Sequence, residues 1–293
     1  MTELFDPRFK RQDLELEGVR LHVRLGGNGP PLLLLHGFPQ THAMWHAVAP
    51  ALAERHTLVM PDLRGYGDSQ KVAATADHAA HGKRAMAADM AALMHALGFA
   101  RFDVAGHDRG GRVTHRLALD FPDRVARACV MDIVPTRHLF THTDQVFATA
   151  YYHWFFLIQP DGLPERMIGQ DPAWYLGECL RRWAAPGAVF DPRAMAEYVR
   201  CFSQPAAING ACEDYRAGAS IDLEHDAASS GQRVECPLLV LWGARGFVNR
   251  HYQVLDIWRE YGRDVRGEAL DCGHFVPEEQ PAATAARLLE FFS

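Results

Sequence analysis

Residues 101–112, RFDVAGHDRGGR, decide how the chain is read. An apolar run leads into a tight turn with Gly106, Asp108 and Gly110 at alternate positions, and helix-forming text follows to about residue 120. That pattern describes a strand turning sharply into a helix, an elbow that presents its central side chain and needs small neighbours because two backbones crowd there. A hydroxyl usually stands at such an apex. Here it is the carboxylate of Asp108, for which the alternative role is a plain helix N-cap. Outward from the elbow, similar apolar runs recur as PPLLLLHG (30–37), HTLVMPDLRG (56–65), ARACVMDIVP (126–135) and CPLLVLWGA (236–244). Runs that do not alternate with polar residues suit parallel strands covered on both faces. Between them, residues 83–97 place Met86, Met90, Leu93, Met94 and Leu97 on one helical stripe, stopped by Gly98. Strand and helix in alternation predict a doubly wound α/β sheet.

The alternation breaks between 136 and 228, where aromatic, helix-like text appears: VFATAYYHWFFLIQP (146–160), DPAWYLGECLRRWAA (171–185) and DPRAMAEYVRCF (191–202). Asp171-Pro172 and Asp191-Pro192 read as N-cap and first-turn proline. The expected organisation is a core in two parts, 1–135 and 229–293, with a helical cap at 136–228 inserted between two core strands. Residues 70–82 read as a surface loop.

Composition narrows the function classes. The chain has 293 residues, 48% of them hydrophobic, and a formal charge of −6 without a long basic run, so it carries no electrostatic footprint for nucleic acid or an anionic membrane. No window approaches the roughly 18 apolar residues of a membrane span, and the N-terminus lacks an apolar signal core. The six cysteines are scattered without a C-x-x-C pair, and reduced structural thiols in a cytoplasmic, soluble protein are expected. Among the sixteen histidines, no H-E-x-x-H occurs and His138/His142 lack a third ligand, so no metal site is expected.

Near the C-terminus, DCGHFVPEEQP (271–281) sets His274 behind a small-residue turn. Together, HGFPQTHAMWH (36–46), AGHDRGGRVTHRLALDFPDRV (105–125), YYHW (151–154), CEDYRAG (212–218) and GHFVPEE (273–279) closely resemble the haloacetate dehalogenases of the α/β-hydrolase superfamily, over residues 18–292. The resemblance implies an α/β-hydrolase fold, a mostly parallel sheet flanked by helices, with a helical cap. It implies a homodimer that converts a small anionic 2-halo acid, such as fluoroacetate or chloroacetate, to glycolate and halide without a cofactor. It also implies that the backbone at Phe38 forms half of an anion hole and that Trp183 walls the pocket.

The residues explain why this chemistry fits. A carboxylate attacking an acyl carbon yields only a reactive anhydride, whereas at an sp³ carbon bearing a leaving group it yields a stable ester. Asp108 as nucleophile thus implies alkyl transfer, and His274 is the candidate base that activates water to hydrolyse the ester. A separate acid must fix the histidine tautomer. Asp132 ends the strand of 126–135, while the turn in LWGARGFVNR (241–250) has no acid, which favours Asp132 over a simple cap role. Arg109 and Arg112 sit in the first helical turn, where the dipole disfavours cations, and at i and i+3 they share a face. They are read as a clamp on a substrate carboxylate, the alternative being a solvated helix face. His153, Trp154 and Tyr215 can each donate a hydrogen bond, and the resemblance makes them the halide donors; otherwise they form an aromatic stripe packing the cap. Three rivals share parts of this pattern. An epoxide hydrolase would use two tyrosines among Tyr151, Tyr152, Tyr175, Tyr198 and Tyr215, a catalytically silent receptor would usually lose a triad member, and an esterase would need a serine at 108.

Overall fold

The structure is a computed structural model that describes residues 3–293. Eight strands form one sheet: β1 (Lys10–Leu16), β2 (Val19–Gly27), β3 (Pro31–Leu35), β4 (Thr57–Pro61), β5 (Phe102–His107), β6 (Val125–Met131), β7 (Leu238–Gly243) and β8 (Val265–Leu270). Their order is β1-β2-β4-β3-β5-β6-β7-β8, with β1 antiparallel to β2, β2 antiparallel to β4, and every other pair parallel. β5 and β7 are buried throughout, as continuous apolar runs require. The strands without such a run are β1, which is largely exposed, β2, with buried and part-buried positions mixed, and β8, in which only Leu270 is buried. One face of these lies near solvent, so their sequence carries a weaker apolar signal.

Parallel strands send their C-terminal ends to one edge of the sheet, where open α/β folds place their ligands. Register sets the alignment there: Leu35 pairs with Gly106, His107 with Met131, and Gly243 with Leu270. The segments that follow β3, β5, β6 and β8 carry Phe38, Asp108, Asp132 and His274 and so emerge side by side. The helix Lys83–Ala96 packs its buried Met86, Met90, Leu93 and Met94 on the sheet and stops at Gly98, whose φ is +84°. Within the loop of 70–82, Ala79–His81 forms a short 3₁₀ turn.

Eight helices, from Thr136–Thr141 to Ile221–Ala228, connect β6 to β7. Asp171 caps its helix by accepting from the Trp174 N–H, and Asp191 accepts from the Arg193 N–H. All six cysteines are unpaired. Among the described residues no helix is long and apolar enough to cross a membrane.

Candidate active site

Asp108 stands at the start of the helix Arg109–Asp120 with φ +48° and ψ −114°, and its side chain makes no capping bond. A non-glycine residue there is strained, by about 1–3 kcal/mol, and persists only where its surroundings over-determine it. Gly106 and Gly110 supply that constraint: a Cβ on Gly106 would lie 2.2 Å from the Gly110 carbonyl oxygen, and one on Gly110 would lie 2.4 Å from that of His36. The turn aims the carboxylate away from the helix N-terminus and into the site. Its Oδ1 accepts the Phe38 N–H at 2.9 Å, and its Oδ2 lies 3.9 Å from His274 Nε2.

His274 Nδ1 is 2.6 Å from Asp132 Oδ2, which assigns the proton to Nδ1 and leaves Nε2 facing Asp108. Asp132 Oδ1 accepts the Gly243 N–H at 2.9 Å. The end of β7, which has no acid of its own, therefore orients the acid that ends β6. Burial works against ionisation of Asp108, but the charges of His274, Arg109, His107 and Arg112 outweigh it and hold the carboxyl below its usual range. Burial likewise opposes the His274 cation, yet the hydrogen bond and charge of Asp132, with Asp108 behind them, raise its pKa. The pair is thus an ionised carboxylate beside an imidazole of raised basicity.

The two arginines are held differently. Arg109 does not spread its fork toward the pocket: its Nε and Nη2 bond the Asp214 carboxylate at 2.9 and 2.7 Å, and Nη2 also reaches the Asp214 carbonyl. The cation that the helix dipole disfavours is matched by a buried protein carboxylate. Arg112 is different. Its Nη1 bonds the Val134 carbonyl and the Thr136 hydroxyl at 3.0 and 2.9 Å, its Nε is buried without a partner, and no carboxylate is paired with it among the described residues. Burial, and then the charge of Arg109, push this guanidinium down to about 10. The site therefore holds one cation that lacks a counter-charge, a few residues from the nucleophile.

His153, Trp154 and Tyr215 converge from the inserted helices, with the Tyr215 ring 5.7 Å from that of His153 and 6.1 Å from that of Trp154. The guanidinium of Arg109 lies 4.2 Å from the Tyr215 ring centre, and that of Arg112 4.6 Å from the Trp154 ring. His153 is desolvated, which pushes its pKa down to about 3, so at neutral pH it is an uncharged imidazole. Trp183 packs 4.4 Å from His153 and 5.8 Å from His274, ring centre to ring centre, and 6.1 Å from Phe38. An open cavity of about 800 Å³ between core and inserted helices reaches Asp108, Tyr151, His153, Trp183 and His274. Arg109, Arg112, Trp154, Tyr215 and Phe38 are buried and do not line this cavity. Sequence reasoning missed Asp214. Its one signal was the uncompensated Arg109, and its position in CEDYRAG, next to Tyr215, offered no distance cue.

The sequence pattern of the alpha/beta hydrolase fold family matches residues 30–281. A fluoroacetate dehalogenase from Burkholderia sp. is 46% identical over 97% of this chain and 94% of its own length. A soluble epoxide hydrolase from Corynebacterium sp. (strain C12) is 36% identical, covering 95% of each chain. Among solved structures, a protein from Nostoc sp. PCC 7120 assigned to the α/β hydrolases superposes with a TM-score of 0.96 at 53% identity, covering 97% of this chain and 98% of the other.

Proposed function

The chain belongs to the haloacetate dehalogenase family of the α/β hydrolases, and we propose that it hydrolyses haloacetates to glycolate and halide through an ester of Asp108. The observation that carries this reading is a strained, ionised carboxylate at the elbow apex beside Arg112, a buried cation without a protein counter-charge. The substrate carboxylate supplies that charge. It is held by the free edge of Arg112, with the remaining Nη1 of Arg109 as second donor.

Asp108 Oδ2 attacks the carbon that bears the halogen; the C–O bond forms as the carbon–halogen bond breaks, and the halide departs with the bonding pair. Back-side geometry sends the leaving group toward His153, Trp154 and Tyr215, whose N–H and O–H groups solvate it in a largely dry pocket. Water then attacks the ester carbon of Asp108 as His274 Nε2 takes its proton. The oxygen that becomes anionic is Oδ1, already aligned with the Phe38 N–H. Collapse of the tetrahedral intermediate releases glycolate and restores the carboxylate. One water enters, and one halide and one proton leave.

The reading extends to a cap formed by residues 136–228 over a core of 1–135 and 229–293, to a cytoplasmic setting, supported by six unpaired thiols, and to a homodimer. Parallel assays of fluoride and chloride release from fluoroacetate and chloroacetate, with diol formation from an epoxide as control, test the function. Both halides are expected. Chloride alone would mean donors set for the larger ion, and diol without halide would replace this reading with an epoxide hydrolase that uses Tyr151 and Tyr215.

A further inference from the structure

The turn that presents His274 has no regular secondary structure, and one carboxylate gathers its backbone. Glu279 ends the short helix Val276–Glu279 and turns back: Oε2 accepts the Gly273 N–H at 2.8 Å, and Oε1 accepts the Phe275 N–H at 2.9 Å. The residues on either side of His274 are thus tied to one side chain. Oε2 also accepts the N–H of Ala185 at 2.9 Å, which belongs to the inserted segment two residues after the pocket wall Trp183. In the reverse direction, the His274 N–H donates to the Trp183 carbonyl at 2.9 Å. The two strips lie so close that a Cβ on Gly273 would sit 2.3 Å from Ala185 N.

We propose that Glu279 is a positioning residue of the dehalogenase site: it fixes the His274 turn, with the segment 183–185 as its anchor, so that the base stands where the ester is hydrolysed. This rests on the haloacetate reading above. The physical reason is the acceptor count. A carboxylate offers only acceptors and takes three N–H groups without conflict, in charge-assisted bonds about twice as strong as neutral ones. A glutamine of the same shape brings an NH₂ that opposes at least one of those donors. Asp132 fixes the tilt of the imidazole; Glu279 fixes where its backbone stands. The neighbouring Glu278 points elsewhere, accepting from the Tyr198 hydroxyl at 2.9 Å and from the Gln40 amide.

Because His274 acts only when the ester is hydrolysed, a positioning defect has a signature that general loosening lacks. In rapid-quench reactions with chloroacetate, Glu279→Gln should release its first equivalent of chloride at close to the wild-type rate and then turn over about 10- to 100-fold more slowly, the penalty of a misplacement near 1 Å. The intact protein should accumulate the mass of a carboxymethyl ester, and Glu279→Asp, which keeps the charge, should fall between the two. If Glu279→Gln does not fold, the same split is read in Glu279→Asp. Wild-type turnover with unchanged steady-state rates in the variants, or a first turnover slowed as much as the later ones in folded protein, overturns the inference. No chloride from the wild-type protein would instead remove the dehalogenase reading on which it rests.

Discussion

In the proposed mechanism Asp108 serves the first half-reaction and His274, held by Asp132, the second, so changes to the last two should fail at the same step. His274→Gln is expected to release about one equivalent of halide per site and stop, with the ester visible by intact mass, because attack on carbon needs no base. Asp132→Asn should also stall at the ester, since its NH₂ must oppose either the His274 Nδ1–H or the Gly243 N–H, both of which the carboxylate accepts; the comparable change in a serine triad costs about 10⁴-fold. The two ionisations separate with pH as well. His274 is raised above its usual value and must be neutral to act, so hydrolysis is lost as pH falls through that raised pKa. Asp108 is lowered and must be charged to attack, so ester formation persists to more acid pH. Quenched at mildly acidic pH, the wild-type protein should therefore carry more ester than at pH 8. Arg112→Met should raise KM for chloroacetate, with kcat/KM down by about 10- to 150-fold, the worth of one hydrogen bond to a charged group of about 1.5–3 kcal/mol. At this scale the three residues that meet in the candidate site were legible because an elbow apex, a strand end and a small-residue turn are local patterns. Asp214 was not, because it meets Arg109 across 105 residues; Glu279 was not, because its bonds to Gly273 and Phe275 go to backbone N–H groups, which leave no mark in the sequence, and its third reaches 94 residues to Ala185.

Between elements, a buried polar cluster joins the inserted helix Pro205–Gly218 to the core. Asp214 on that helix takes Arg109 from the elbow helix, Lys83 from the start of the helix Lys83–Ala96, and the Tyr66 hydroxyl at 2.6 Å. All four groups are buried. Removing the shared acid would leave Arg109 in the interior without a carboxylate partner and Lys83 with Asp222 alone, at 3.4 Å, and breaking such a pair typically costs about 3–5 kcal/mol. Asp214→Ala should accordingly melt several degrees lower in calorimetry and bind substrate more weakly, because Arg109 loses the group that holds its fork. An unchanged melting temperature would show that the tie contributes little. Elements with uniform environments were the readable ones. The strands near the sheet centre gave unbroken apolar runs, and the break at 136 marked the insertion through its aromatic content. β1 is exposed or part-buried throughout, β2 and β8 mix buried with exposed positions, and all three blend into loop text.

The whole molecule puts its reactive groups where parallel strands end and closes the other side with the segment between β6 and β7. That arrangement places several carboxyl groups in dry surroundings, and stability should register it. Burial pushes Glu278 up to about 8, against the pull of its bonds from Tyr198 and Gln40 and with a smaller push from the charge of Glu279. A folded-state pKa above the unfolded value means that the folded protein binds the proton more tightly. The stabilisation is complete below the ordinary carboxylate range and is lost as pH rises toward 8. The melting temperature of the wild-type protein should thus fall between pH 5 and pH 8 relative to that of Glu278→Gln, and parallel curves would contradict this. The central claim, that Asp108 and not water attacks the substrate carbon, is tested most directly by a single turnover in H₂¹⁸O with enzyme in excess over chloroacetate. Unlabelled glycolate, whose hydroxyl oxygen comes from Asp108, is expected, with one ¹⁸O in the peptide containing Asp108. Labelled glycolate from the first turnover, with Asp108 unlabelled, would mean direct attack by water and would contradict it.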